Sequence, residues 1–439
     1  VRLFVALLVA LPGFGLPLYR DSLDNGLIVM TYEDHRAPAV SLRFVCRSGA
    51  AFDTEGQSGT AGIVTGLILA GTPSLDADSI AATLEFIGAR ADQGTGYDCS
   101  WVDIRALSGH FDLVLGLLAD GARNAAFPDE EFERQRAGVL TSALRGWDSP
   151  ARAAGMLFDR RFFGQHPYAR PAWGDTADLA RLTANAVRGF HRTHWRPNNC
   201  FLVVVGDVKR SEAVAGAGVA FAGWDPAPIP ALEPPSLEPV AGLRATLTSR
   251  PDLNQSYVVM GHPGLSAGAA DMLAARLMSY VLGGSAITSR LGQSVRVEAG
   301  LAYDVRCWFE RNRLPGAFKA TVQTSSPAEA IRRMRAEFTR MHDSGPTVEE
   351  TRTAKEFYTG SFPLGYSDTP GKLHEVTTAE VHGLGPGWLE EFPERVRALS
   401  RDDLARAARE RLSPDDLLIL VYGPATRAEL NLEEAEWLE

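Results

Sequence analysis

The sequence predicts an α+β protein of two tandem homologous domains, each a mainly antiparallel sheet with helices packed on it. One observation is an internal echo. SLRFV at 41–45 returns as SYVVM at 256–260, and the helical stretch at 60–72 returns at 271–284. NNCFLVVVG at 198–206 returns as DDLLILVYG at 415–423. The offset stays between about 210 and 218 residues, which marks one duplicated domain rather than a solenoid. A second observation is the alternation of patterns within each copy. Phe201, Leu202, Val203, Val204 and Val205 form a continuous, largely β-branched run, as in a strand covered on both faces. Residues 112–124, 129–146, 149–163 and 176–193 read as helices. The third is the segment between the copies. Residues 224–239, WDPAPIPALEPPSLEP, hold six prolines and predict a semi-rigid extended linker that sets the halves at a fixed separation.

Taken in order, the chain opens with Arg2 and an apolar run at 3–11, followed by Pro12 and Gly13-Phe14-Gly15. A basic n-region, a short h-region and a small-x-small site predict a signal peptide over 1–15, hence export, with a periplasmic destination. The domains are then expected at 16–223 and 241–439, with 224–240 as the linker. A length of 439 residues suffices for two cores, and 45% hydrophobic with 22% charged residues is an ordinary globular composition. Forty-four basic against 54 acidic residues give a net charge of -10, which argues against nucleic acid and anionic membranes as partners. The leading apolar run is too short to span a bilayer and no second candidate follows, so no membrane span is expected in the mature chain. Cys46, Cys99, Cys200 and Cys307 show no Cys-x-x-Cys spacing, which argues against a zinc knuckle. A Cys46–Cys99 bridge is open in an oxidising compartment, but four buried free thiols are the expectation.

The stretch at 56–72, GQSGTAGIVTGLILAGT, reads as a buried helix on which Gly62, Thr65 and Gly66 are the odd members. Each glycine inside a helix costs about 1 kcal/mol against alanine, so two of them four residues apart ask for a reason. Residues i and i+4 share a face with i+3 beside them, the arrangement in which His-x-x-Glu-His offers zinc two imidazoles and its water a carboxylate.

Asn25-Gly26-Leu27, the strand ending in Ser48-Gly49-Ala50, that helix, and Leu84 to Ala89 follow one another in an order that resembles the N-terminal half of the pitrilysin family of zinc peptidases. This family includes insulinase and the mitochondrial processing peptidase. The resemblance sets Gly62 at the first His, Thr65 at the Glu, Gly66 at the second His, Ser142 at the third ligand and Gln135 at a supporting Glu. It therefore implies a degenerate metal site. Gln165-His166-Pro167-Tyr168 matches the family's His-Pro-Tyr turn, with His166 read as a structural turn histidine. His191 and His194, near a helix end beside Arg192 and Arg196, are read as structural too.

The second half keeps what the first has lost. Gly283-Gly284, Ser289-Arg290-Leu291 and the run from Arg296 through Gly300-Leu301-Ala302 to Tyr303 resemble the family's C-terminal signature. There the Arg and Tyr face the zinc, hold the peptide backbone and help stabilise the tetrahedral intermediate, for which a guanidinium and a phenol are suitable donors. The resemblance implies that Arg296 and Tyr303 act in trans, with Gly283, Gly284, Ser289 and Arg290 contacting substrate, and that the halves form a clam around a chamber. It implies no cofactor in this chain, zinc only on an active homologous partner subunit, and unfolded peptides as substrates. An independent scaffold of the same fold and a peptidase with its metal site built elsewhere are the alternatives.

Overall fold

The computed structural model describes residues 18–385 and 387–438, so the expected signal peptide lies outside the described residues. The first sheet contains β1 (Leu18–Ser22), β2 (Ile28–Glu33), β3 (Ala39–Cys46), β4 (Arg90–Thr95), β5 (Ser100–Leu107) and β6 (Cys200–Gly206), in the order β1-β2-β6-β3-β5-β4. The second contains β7 (Leu243–Ser249), β8 (Ser256–Pro263), β9 (Val305–Phe309), β10 (Ala317–Thr324), β11 (Leu417–Gly423) and β12 (Glu436–Trp437), ordered β12-β7-β11-β8-β10-β9. In each sheet the strand from the far end of its repeat (β6, β11) runs parallel to the first repeated strand and antiparallel to the second. The duplication is thus a duplication of topology.

The echo read from sequence needs a shift of one residue. Leu42, Phe44 and Cys46 face the first core, and their counterparts facing the second are Val258 and Met260, whereas Val259 points the other way. Aligning SLRFV with SYVVM sets Leu42 against Tyr257. A one-residue slip in a strand exchanges its two faces, so burial decides the register where letters do not.

Helices α1 (Thr60–Leu67), α2 (Ala77–Phe86), α3 (Phe111–Asn124), α4 (Asp129–Trp147), α5 (Pro150–Phe163), α6 (Thr176–Arg181), α7 (Ala184–His194) and α8 (Arg210–Ala220) come from the first half. The predicted helix at 176–193 is two helices. The Thr183 side chain accepts from Ala186 N and starts α7 afresh after Leu182 has gone extended. The second half supplies α9 (Met272–Gly283), α10 (Pro327–Ser344), α11 (Val348–Gly365), α12 (Thr369–Val381), α13 (Trp388–Ala398), α14 (Arg401–Arg411) and α15 (Arg427–Leu430).

The halves exchange helices. Continuous apolar strands such as β6 have two faces to bury, and their own helices cover only one. The other face of the first sheet (Met30, Val45, Phe201, Val203, Val205) is covered by Leu373, Val376 and Ala379 of α12 and Leu389 of α13. The matching face of the second sheet (Val259, Leu418, Leu420, Tyr422) is covered by Ala153, Ala154 and Phe158 of α5. Polar ties accompany both exchanges. Lys372 Nζ meets Asp34 Oδ2 at 2.5 Å, and Arg47 and Arg20 both hold Glu380. Lys319 pairs with Asp159 of α5 and with Glu310. At the His-Pro-Tyr turn, Tyr168 Oη donates to Asp98 at 2.7 Å and accepts from Leu314 N at 3.2 Å.

Packed helices, rather than the proline-rich linker, therefore set the spacing of the halves. The linker has no helix or strand and lies along the surface, with Asn198 bonded in both directions to Ala227. All four cysteines are free. Cys46, Cys200 and Cys307 are buried, and Cys99 sits in the turn before β5 rather than on a strand.

Candidate functional site

Helix α1 starts where Asp53, buried six residues upstream of Gly59, accepts from Gly59 N at 2.7 Å and Ala61 N at 2.8 Å. Burial pushes the Asp53 carboxyl up to about 7 against the pull of those N–H groups. Gly59 has φ +97, a left-handed conformation that glycine adopts freely and that lets Leu179 and Gly174 close on it. Sequence reading missed Asp53, because a cap reaching across a loop leaves no local spacing to read.

On α1 the three odd residues have separate surroundings. A Cβ on Gly62 would meet nothing within 4 Å, whereas one on Gly66 would lie 2.1 Å from Gln135 Nε2 and 2.7 Å from its Cδ. The amide of Gln135, on α4, thus occupies the room beside Gly66. Thr65 is buried, donates its hydroxyl to Ala61 O at 2.7 Å and accepts from Thr95 of β4 at 3.0 Å. Ser142 is exposed one helical turn pair further along α4.

This set does not fit zinc. Two glycines contribute no donor, the Thr65 hydroxyl is spent on the backbone and on Thr95, and Gln135 fills space an imidazole at 66 would need. No other candidate exists among the described residues, where no group of three or more His, Cys, Asp or Glu could hold a metal ion. His166 Nδ1 accepts from Tyr168 N at 3.2 Å. His191 donates from Nε2 to Ala122 O at 2.9 Å, and His194 bonds Ser48 at 3.1 Å. Burial drags His191 and His194 down to about 4, so both are neutral packing groups at pH 7.

The second-half site stands on a π-helical turn, Gly292–Glu298, that follows α9 and leads to β9. Such turns are uncommon and gather at functional sites. Arg296 leaves this turn and lays its guanidinium over the Tyr303 ring at 4.6 Å from the centroid. Tyr303 is 83% exposed, and neither side chain has a hydrogen-bond or ion-pair partner among the described residues. Two hydrogen-bonding groups thus stand together, oriented and uncommitted.

The four residues expected to contact substrate lie at the end of α9 and just before the π-helical turn. A Cβ on Gly283 would strike Cys307 N and Sγ at 2.7 Å, so its absence lets α9 press against β9. Gly284 is exposed but closely backed by Tyr280. The Ser289 hydroxyl donates to Ser285 O and accepts from Gly292 N at 3.1 Å, capping the π-helical turn. Arg290 is buried and forks onto Glu350 at 2.8 and 2.7 Å, with a further bond to Gly345 O at 2.9 Å. These bonds build Ser289 and Arg290 into the fold, although Arg290 Nη1 is left buried without a hydrogen-bond partner among the described residues.

Two sequence models of one family match the chain, "Insulinase (Peptidase family M16)" over residues 28–175 and "Peptidase M16 inactive domain" over 181–358. The chain belongs to the M16 peptidase family. The second match begins before β6, so it takes in the strand that closes the first sheet. An uncharacterized zinc protease of Streptomyces coelicolor is 25% identical over 90% of this M16 chain and 87% of its own length. Among solved structures, an M16 inactive domain from Pseudomonas fluorescens superposes with TM-score 0.85 at 23% identity, covering 97% of this chain and all of that one. The periplasmic protease PqqL of Escherichia coli aligns at TM-score 0.77 and 16% identity, over 98% of this chain but 52% of PqqL. One M16 chain of this length thus corresponds to half of that protein, and the first half of PqqL alone is fully covered.

Proposed function

We propose that this M16 chain is a zinc-free, non-catalytic subunit that pairs with a zinc-bearing homologous subunit, helps hold unfolded peptides and supplies Arg296 and Tyr303 to the partner's active site. The observation that carries the reading is an asymmetry. The positions that would hold zinc have no metal-binding donors and are partly filled, while half-buried Arg296 and exposed Tyr303 have no hydrogen-bond or ion-pair partner among the described residues. A guanidinium and a phenol in fixed relation are suited to a carbonyl oxygen that gains charge. The half-length correspondence to PqqL supports two such units making one working assembly, with the peptide between them. Extended peptide has a ready template in β4, an edge strand that among the described residues pairs only with β5 and lies against α1, on which a further strand adds by backbone pairing. Export to the periplasm belongs to the same proposal.

The test is steady-state kinetics of the reconstituted pair on a flexible peptide, with gel filtration to follow assembly. Arg296→Ala and Tyr303→Phe should assemble normally and lower turnover by roughly 100- to 1,000-fold, the usual loss on removing a preorganised donor. A raised KM with unchanged kcat would reduce the pair to a binding role. Wild-type kinetics in both variants would sink the in-trans contribution and leave a scaffold.

A further inference from the structure

A cavity of about 580 Å³ lies in the second half, between the start of α9, the end of α11 and the helices α12 and α13. None of its lining residues belongs to the π-helical turn or to the Arg296–Tyr303 pair, and it has no role in the pairing proposed above. Its walls carry the side chains of Tyr358, Phe392 and Trp388, together with Arg276, Arg311 and Glu375. Arg276 holds its guanidinium over Tyr358 at 5.2 Å and over Phe392 at 5.8 Å from the ring centroids. Neither Arg276 nor Arg311 has a side-chain hydrogen bond or an ion pair among the described residues, in a chain where most other arginines are paired. Arg311 lines the cavity and is in part exposed to solvent. Burial first, and Arg276 beside it, pull its guanidinium below the ordinary arginine value, while Glu375 opposes them.

Two like charges left unpaired in one recess are a standing cost to the fold unless something negative joins them. Five N–H donors on each guanidinium fit a carboxylate, and aromatic walls of this size suit an apolar body. Arg395 also lines the cavity but is paired with Glu391, so the two free guanidiniums against Glu375 leave a net charge near +1, which matches a monoanion better than a phosphate dianion. From the cavity and its two uncommitted guanidiniums, we infer that this M16 chain has a second binding site, for a small monocarboxylate with an aromatic or branched apolar body.

The probe is N-acetyl-L-phenylalanine, titrated calorimetrically into the full chain, with its amide and with phenyl phosphate as comparators. The acid should bind at least about tenfold more tightly than the amide, since a charge-assisted pair is lost. Arg276→Gln and Arg311→Gln should each weaken the acid by about tenfold or more, and Glu375→Gln should tighten it. In the absence of ligand, Arg311→Gln should match or exceed the wild-type melting temperature, because it removes repulsion and breaks no bond. Equal binding of acid and amide, or tighter binding of phenyl phosphate, would overturn the inference. So would a large fall in melting temperature in both arginine variants, which would make these residues structural.

Discussion

At the scale of single residues, two glycines that read alike in sequence do different things. Gly66 makes room for the Gln135 amide, and Gly62 faces open space. At the two glycines, a variant carrying Gly62→His, Thr65→Glu, Gly66→His and Ser142→Glu meets at Cβ only one flexible side chain, Gln135, while at buried Thr65 it gives up the bond to Thr95. Overpacking costs about 1–3 kcal/mol where backbone resists, and a movable Gln tip puts the expected loss at the low end. Adding Gln135→Ala to that variant should recover most of the lost melting temperature. No recovery would mean the strain lies elsewhere. The Arg290–Glu350 pair gives a pH prediction. Burial opposes ionisation of Glu350, but the hydrogen bonds from Arg290 and Thr347 outweigh it and hold the carboxyl at about 2, against an ordinary 4.5. Its folded value lies below its unfolded one, so its contribution is complete above about 4.5 and fades as pH falls toward 2. The size is on the order of 2–3 kcal/mol. Denaturant titrations between those limits should show a stability slope that Glu350→Gln flattens; an unchanged slope would assign it to other carboxylates.

At the scale of elements, α5 and α12 are the pieces whose burial defines the molecule. Each is coded in one half and covers the sheet of the other. Phe158, fully buried against Gly261 and Leu418, should cost about 3–5 kcal/mol when cut to Ala. Residues 18–223 produced alone keep α5 but lose α12, which leaves Met30, Val45, Phe201, Val203 and Val205 bare; residues 241–438 lose α5. Each half-chain should aggregate or bind a hydrophobic dye when expressed singly, and the two should form a soluble 1:1 complex when co-expressed. Two halves that stay soluble and monomeric, each with its own cooperative unfolding, would contradict the exchange as the source of stability.

At the scale of the whole molecule, the positions that the family resemblance sets at the zinc carry no metal donors, while Arg296 and Tyr303 stand together in the second half. Purified alone it should take up no stoichiometric zinc and cleave no peptide, since three-ligand catalytic zinc needs His or carboxylate donors that Gly62, Gly66 and Ser142 lack. Elemental analysis together with a chelator-sensitive peptidase assay checks this, and one zinc per chain with such activity would refute it. Among the described residues no helix is long and apolar enough to cross a membrane.

What the sequence by itself determined was whatever is written in local pattern or in a run of adjacent letters. Duplication, the buried strands, and a helix opening at Thr60 without metal donors were legible, because periodicity and motif spacing survive without contacts, although α1 ends at Leu67 rather than at 72. The split of 176–193 is written locally too, in Thr183 as a cap. Tertiary structure alone decided the rest. Which neighbour fills the space beside Gly66, which of Val258 and Val259 faces the core, and that Arg290 is a buried support all depend on what packs across from them. The helix exchange belongs to the same class. An amphipathic stripe on α5 or α12 states that a face will be buried, but only the competition among all apolar surfaces of the folded chain selects the sheet that buries it.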